Sequence, residues 1–153
     1  MQRITRKLAR FRALPPRDRR TVLSAMALLP LFWIALHLLG LQRLQARLHR
    51  QPRPRSSPPD LDEMKRLGAL VNSTSRHVLG PANCLTRSLY LWWLLRRKGV
   101  YCHLRIGVRL SEGALEAHAW VERAGIPLND RHDVGALFDA FAEPMSPSRF
   151  LSP

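Results

Sequence analysis

The chain has 153 residues, enough for one domain with a modest hydrophobic core or for a small domain with an accessory segment. Hydrophobic residues make up 46% of the sequence, which excludes a wholly disordered chain. The 25 Lys and Arg residues against 11 Asp and Glu give a formal net charge of +14, which favours an anionic partner.

The N-terminal 50 residues combine basic stretches with one apolar run. We predict Asp18 as the N-cap of a helix. Residues 22–41, VLSAMALLPLFWIALHLLGL, are apolar around almost the whole helical circumference and long enough to span a bilayer. Pro30 and His37 interrupt this run. Arginines flank both of its ends, so the distribution of positive charge does not define an orientation across a membrane. We therefore expect a helix that packs on the rest of the protein or on a partner, with membrane contact as the alternative.

A proline-rich stretch divides the chain. Gln51–Asp60, QPRPRSSPPD, cannot continue a helix and is typical of an extended linker. We therefore predict three parts: a basic, apolar helical segment over 1–50, the linker over 51–60, and a domain over 61–153.

The domain begins with helices and continues with strands. A helix is predicted over Leu61–Leu79, and a second runs from about Cys84 to a C-capping glycine, Gly99. After this glycine the spacing of the apolar residues changes to a period of two, which is typical of strands. This pattern predicts strands over Val100–Leu110, Leu115–Glu122 and Ile126–Asp130, and a short helix around Val134–Phe141. The order indicates an α+β fold, in which a helix precedes an antiparallel β meander.

Cys84 is the candidate nucleophile because it lies at the start of a helix. The positive end of the helix dipole and the free backbone N–H groups there stabilise a thiolate and could hold an oxyanion. The other thiol, Cys102, lies on a strand without such a dipole, and we predict it in the core.

A base and an orienting group follow Cys84 in the sequence. His118 lies on a strand between two alanines, and Asp130 ends the next strand twelve residues on. In a tight hairpin Asp130 could reach the far nitrogen of His118 and fix its tautomer. Because hairpin length cannot be read from sequence, Asp133 and Asp139 remain alternatives.

Other chemistries find little support in the sequence. Two cysteines are too few for a disulfide framework, no CxxC pair is present, and the spacing of His103, His118 and His132 does not match a metal site. No Gly-rich phosphate loop and no RNA-binding motif accompany the basic charge. We therefore predict neither a metal nor a cofactor, and no nucleic-acid partner.

Three segments carry a resemblance to a known family. NCLTRSLYLWWLLRRKG, HLRIGVRL and EAHAWVERAGIPLND, in this order, closely resemble the transglutaminase-like cysteine proteases of lasso-peptide biosynthesis. The resemblance runs from about Asp60 to Asp130, roughly half of the chain. The apolar N-terminal helix with basic flanks is also similar to what precedes this domain in the family.

The resemblance implies a papain- or transglutaminase-like fold and a catalytic triad at Cys84, His118 and Asp130. It implies a leader peptidase that cuts a ribosomally made precursor peptide and transfers the acyl group to water; the two cysteines, too few for a disulfide framework, indicate a cytoplasmic protein. A leader-recognition protein would present the precursor, and an asparagine-synthetase-like cyclase would join the freed amine to an acidic side chain. Arg87 and Ser88 match the motif as structural or substrate-positioning residues, and Asn83 is a possible second oxyanion donor. The alternative is a catalytically silent, membrane-associated scaffold of the same pathway.

Overall fold

The protein consists of helices packed against a small antiparallel sheet, as expected for an α+β fold. The structure, a computed structural model, describes residues 11–49, 58–81 and 83–141. Expectations for the basic residues 1–10, for most of the proline-rich linker and for the tail after residue 141 fall outside the described residues.

The first helix, α1, spans Pro16–Leu48 and contains the apolar run. Its N-cap is Pro15, so the prediction that Asp18 caps the helix is wrong. Proline is well suited to the first helical position, because its missing N–H would have no partner there, and the helix therefore begins earlier. Asp18 lies instead in the first turn, where it pairs with Arg66 near the positive end of the dipole. Gly40, at φ +72°, kinks the helix.

One face of α1 belongs to the hydrophobic core. Ala25, Leu29 and Phe32 are buried, and the Phe32 ring meets the Tyr90 ring edge-on at a centroid distance of 5.4 Å. Ser24 shares a hydrogen bond of 2.9 Å with the Tyr90 hydroxyl. Several large apolar side chains on α1 remain exposed: Leu23, Met26, Leu31, Trp33, Ile34 and Leu38. By length and composition α1 could cross a membrane, a test that buried helices of soluble proteins and signal sequences also pass.

Two further helices complete the helical layer. The second helix, α2, spans Leu61–Val78, and its N-cap Asp60 accepts a 2.7 Å hydrogen bond from the Glu63 N–H. The third helix, α3, spans Cys84–Arg97. Both lie close to the predicted bounds. Their buried side chains join those of α1 in one core cluster, which includes Met64, Val71, Leu89, Tyr90, Leu91 and Leu95.

The sheet has four antiparallel strands in the order β3-β2-β1-β4. Their bounds are His103–Ser111 for β1, Ala114–Arg123 for β2, Ile126–Pro127 for β3 and Asp139–Ala140 for β4. β1 and β2 form the predicted hairpin, although β1 begins three residues later than expected.

The chain after β2 departs from the prediction in two places. The third strand ends at Pro127 and not at Asp130, because the side chain of Asn129 takes the Val121 N–H that the strand's backbone would otherwise bind. The predicted helix around Val134–Phe141 is a single turn, α4, over Val134–Leu137. It stops because the chain then pairs with β1 as the short strand β4.

Candidate active site

Cys84 is the first residue of α3 and is partly buried. The preceding residue, Asn83, is the N-cap but makes no capping hydrogen bond; its amide donates instead to the Leu79 carbonyl at 2.6 Å. The backbone N–H groups of the first turn are therefore not capped by Asn83. The role of Asn83 as an oxyanion donor stays a prediction, with one of its amide hydrogens already engaged within the protein.

Two side chains of α3 form hydrogen bonds with the backbone of one residue of β2. The Ala119 N–H donates to the Cys84 sulfur, and the Ala119 carbonyl accepts a 2.9 Å hydrogen bond from the Ser88 hydroxyl. Cys84 and Ser88 are four residues apart and so lie on one face of α3. Because β3 pairs only with Glu122 and Arg123, this stretch of β2 has a free backbone edge for them. These hydrogen bonds place the thiol next to His118.

His118 joins the thiol to a carboxylate. Its Nε2–H donates to Asp130 Oδ2 at 2.6 Å, and the second oxygen of Asp130 accepts the Arg131 N–H at 2.9 Å. His118 is also hydrogen-bonded to Cys84, and this bond uses Nδ1 because Nε2 is taken. Of the alternative carboxylates, Asp133 pairs with Arg131 at 3.0 Å and Asp139 lies in β4. The structure therefore brings the three predicted residues together in the predicted order.

The hydrogen bonds within this group shift all three pKa values. The bonds to Asp130 and then to Cys84 raise the pKa of His118 to about 9 against the opposing effect of burial. The hydrogen bond from His118, together with the Ala119 N–H and the charge of Arg87, lowers the pKa of Cys84 despite burial. Burial raises the pKa of Asp130, but the His118 and Arg131 bonds outweigh it and the net shift is downward. These shifts favour the thiolate of Cys84, the imidazolium of His118 and the carboxylate of Asp130.

Aromatic rings surround the imidazole. The Trp120 ring stacks near it at a centroid distance of 6.4 Å, and the Phe138 ring stacks at 5.0 Å. Gly107 is the β1 partner of His118, and a Cβ at Gly107 would lie 2.9 Å from the Cβ of Phe138. The glycine therefore allows Phe138 to approach the histidine. Sequence reasoning missed Phe138, whose position depends on the return of the chain through β4.

A buried polar network holds the segment that carries Asp130. The Asn129 side chain accepts the Val121 N–H at 2.8 Å and donates to the Ser88 hydroxyl at 2.9 Å. The Asn72 amide donates to the Asn129 carbonyl at 2.6 Å. Asn129 thus links β2, α2 and α3 directly beside Asp130. Sequence reasoning did not single out Asn129; a polar residue between Leu128 and Asp130 was its only signal.

The remaining thiol and the histidines form no second centre in the described part of the chain. Cys102 is buried, and burial raises the pKa of its thiol to about 12. It therefore stays protonated and packs in the core, as predicted. Among residues 11–49, 58–81 and 83–141, no three His, Cys, Asp or Glu side chains are grouped so that they could hold a metal ion.

The fold and the site together define a class of protein. A thiol at a helix N-terminus lies beside a histidine of the adjoining antiparallel sheet and an aspartate of the segment that follows β3, in a mixed helix and sheet fold of the transglutaminase-like kind. The family model of the transglutaminase-like superfamily matches residues 25–142, more than half of the chain, and the protein belongs to this superfamily. Members are commonly cysteine peptidases or transferases. Searches of curated proteins and of solved structures gave no significant match.

Proposed function

We propose that this protein is a cysteine peptidase that removes the leader from a lasso-peptide precursor. The observation that carries the proposal is the continuous hydrogen-bonded series from Cys84 through His118 to Asp130. In this series the carboxylate orients the imidazole and the imidazole stabilises the thiolate, as an activated cysteine requires. The narrower assignment to lasso-peptide maturation rests on the resemblance of the three sequence segments to that family.

The geometry supports a mechanism in two halves. The Cys84 thiolate attacks the carbonyl carbon between leader and core, and the carbonyl electrons move onto the oxygen. When the tetrahedral intermediate collapses, His118 gives its Nδ1 proton to the departing amine of the core, and the leader remains as a thioester. His118 then takes a proton from water, the hydroxide attacks the thioester, and Cys84 leaves as a thiolate. Asp130 keeps the imidazole oriented throughout.

The proposed partners follow from the same assignment. We expect a leader-recognition protein to present the precursor and an asparagine-synthetase-like cyclase to use the freed amine, in the cytoplasm and with possible contact of residues 22–41 to a membrane. The net charge of +14 is suited to steering an acidic leader or an acidic presenting protein.

The decisive experiment is mass spectrometry of the precursor peptide after incubation with this protein and the leader-recognition protein. We expect one cut at the leader–core junction, which Cys84→Ala abolishes and which Cys102→Ala, at the buried second thiol, leaves in place. Both variants should be checked for a native circular dichroism spectrum.

Two results would contradict the proposal. A cut that persists in Cys84→Ala would exclude the thiol as nucleophile. No cut with the complete set of partners and a folded enzyme would favour a scaffold or another acyl transfer.

A further inference from the structure

The apolar helix α1 reaches the candidate active site. A cavity of about 410 Å³ borders Cys84, and its walls come from two parts of the chain that are distant in sequence. One wall is the start of α3 with its N-cap, residues 83–86; the other is Trp33, Leu36 and His37 of α1. The volume lies within the range of about 300–1,000 Å³ that small-ligand pockets occupy.

The α1 wall of this cavity is held in place. The His37 ring lies 4.3 Å from the Trp33 ring, between centroids, and His37 Nδ1 is hydrogen-bonded to the Trp33 carbonyl at 2.8 Å. One residue before Trp33, Phe32 is buried, and its ring lies 5.4 Å from that of Trp93 on α3. Trp33 therefore stands on an anchored turn of helix, yet 41% of its surface is exposed.

The chemistry of the walls favours an apolar occupant. Trp33, Leu36 and Leu85 supply the larger, apolar part of the surface, His37, Asn83 and Thr86 line the remainder, and none of the described residues that line the cavity is Lys, Arg, Asp or Glu. A chain with a net charge of +14 thus places an uncharged surface beside its most reactive thiol. An apolar side chain that entered here would remove its own surface and that of the tryptophan from water.

The position of the cavity indicates which part of the substrate would enter it. In the proposed mechanism His118 gives its proton to the departing amine, so the amine side of the scissile bond lies toward His118. The cavity touches Cys84, but neither His118 nor Asp130 lines it. We therefore assign it to the acyl side of the scissile bond.

We propose that α1 forms a specificity pocket of the peptidase, with Trp33 as its main determinant, for a large apolar side chain on the acyl side of the scissile bond. This inference rests on the proposed peptidase function and adds the substrate class that its site selects. The apolar segment is then a part of the substrate-binding cleft.

The test uses two chloromethyl ketones that label an activated cysteine: benzyloxycarbonyl-Phe-Phe and benzyloxycarbonyl-Gly-Gly. Intact-protein mass spectrometry follows the rate at which Cys84 is modified in the full-length protein. We expect the Phe-Phe ketone to react at least about tenfold faster, and this ratio to fall toward unity in Trp33→Ala, since even one methylene group in a hydrophobic pocket discriminates by about 10- to 200-fold. Leu38→Ala, a truncation on the same helix at a side chain that does not line the cavity, should keep the ratio.

Iodoacetamide, which is too small to depend on the pocket, serves as the reference reagent. Its rate with Cys84 should be the same in the wild type and in Leu38→Ala, and a Trp33→Ala protein that still reacts with it retains its folded site, which separates selectivity from loss of fold. His37→Ala is a second variant at an exposed residue, expected to reduce the ratio less than Trp33→Ala.

Three outcomes would overturn the inference. The first is a wild-type enzyme that shows no preference between the two ketones. The second is a preference that survives Trp33→Ala while iodoacetamide still reacts normally. The third, in which neither ketone modifies Cys84 although iodoacetamide does, would contradict the peptidase assignment itself.

Discussion

At the scale of single residues, the chemistry of the site depends on which of its side chains are protonated. An ordinary thiol is mostly protonated at neutral pH, but Cys84 has a lowered pKa because His118 and the Ala119 N–H stabilise its thiolate. The same bond, and the one to Asp130, keep a proton on His118 up to a pH of about 9. Both shifts favour the charged forms, the thiolate of Cys84 and the imidazolium of His118, which the proposed mechanism requires.

The two thiols should differ sharply in reactivity. We expect iodoacetamide to modify Cys84 at a lower pH than an ordinary thiol, because the pKa of Cys84 is lowered, and to leave Cys102 unmodified, because burial raises the pKa of Cys102 to about 12. Peptide mapping by mass spectrometry distinguishes the two sites. His118→Ala should move the pH midpoint of Cys84 alkylation upward toward that of a free thiol. A midpoint unchanged by His118→Ala would show that the histidine does not stabilise the thiolate.

The pH dependence of cleavage follows from the same shifts. His118 has a raised pKa, so it is protonated below about 9 and loses its proton as the pH rises through that value. We expect kcat/KM to fall on this alkaline side, because the departing amine is no longer protonated, and on the acid side where the thiolate gains a proton. Asp130→Asn should move the alkaline limb to lower pH.

Asp133→Asn is the matched control for that measurement. Asp133 pairs with Arg131 and makes no hydrogen bond to His118 in the structure, so its replacement should leave the alkaline limb near pH 9. An equal displacement in both variants would contradict the assignment of Asp130 as the orienting residue.

At the scale of elements, the site depends on how closely α2 and α3 approach the sheet. A Cβ at Gly68 of α2 would lie 2.2 Å from the Leu128 carbonyl oxygen, so only glycine allows this helix to pack against the segment that precedes Asp130. On the other side, Ser88 of α3 binds both Ala119 and Asn129. The carboxylate is therefore positioned from two helices at once.

Asn129→Ala tests this positioning. The substitution leaves the Val121 N–H without its side-chain acceptor, and a buried unpaired donor costs about 1–3 kcal/mol. We expect a lower free energy of unfolding in urea and a lower kcat/KM. If Asn129 acts through Asp130, the alkaline limb of cleavage should also move to lower pH, an effect that a loss of stability alone would not produce. An unmoved limb would make Asn129 purely structural.

At the scale of the whole molecule, α1 belongs to the hydrophobic core that supports the site. Its buried stripe joins the side chains of α2 and α3 in one cluster, and the superfamily match begins at residue 25, within this helix. The sequence-based division into parts 1–50, 51–60 and 61–153 stays a prediction. Cooperative unfolding of α1 with the remainder would show that the linker does not separate two folding units.

Two leucines of α1 make that measurement possible. Leu29 is fully buried, whereas Leu31 is 58% exposed. We expect Leu29→Ala to lower the free energy of unfolding by about 2–5 kcal/mol in a single transition and Leu31→Ala to change it by less than about 0.5 kcal/mol. Urea denaturation followed by circular dichroism gives both values. A small effect of Leu29→Ala would mean that α1 contributes little to the stability of the domain.

The sequence alone was sufficient for several of the local features of this protein, although not for the Asp18 cap or for the chain after β2. These local features depend on backbone geometry within a few neighbouring residues, which shows in the hydrophobic period, the glycine and proline breaks and the capping residues. The helices over 61–78 and 84–97 and the β1–β2 hairpin were therefore predictable. The position of Cys84 at a helix N-terminus is equally local. The superfamily match agrees with the fold class that these signals indicated.

The tertiary structure decided what depends on contacts between distant residues. Spacing left three aspartates open as partners of His118, and only the path of the chain after Pro127 selects Asp130. Phe138 reaches the histidine through β4, and Trp33 reaches the Cys84 cavity from some fifty positions earlier in the chain. Such contacts are set by packing between elements, and periodicity along the sequence carries no information about which elements meet.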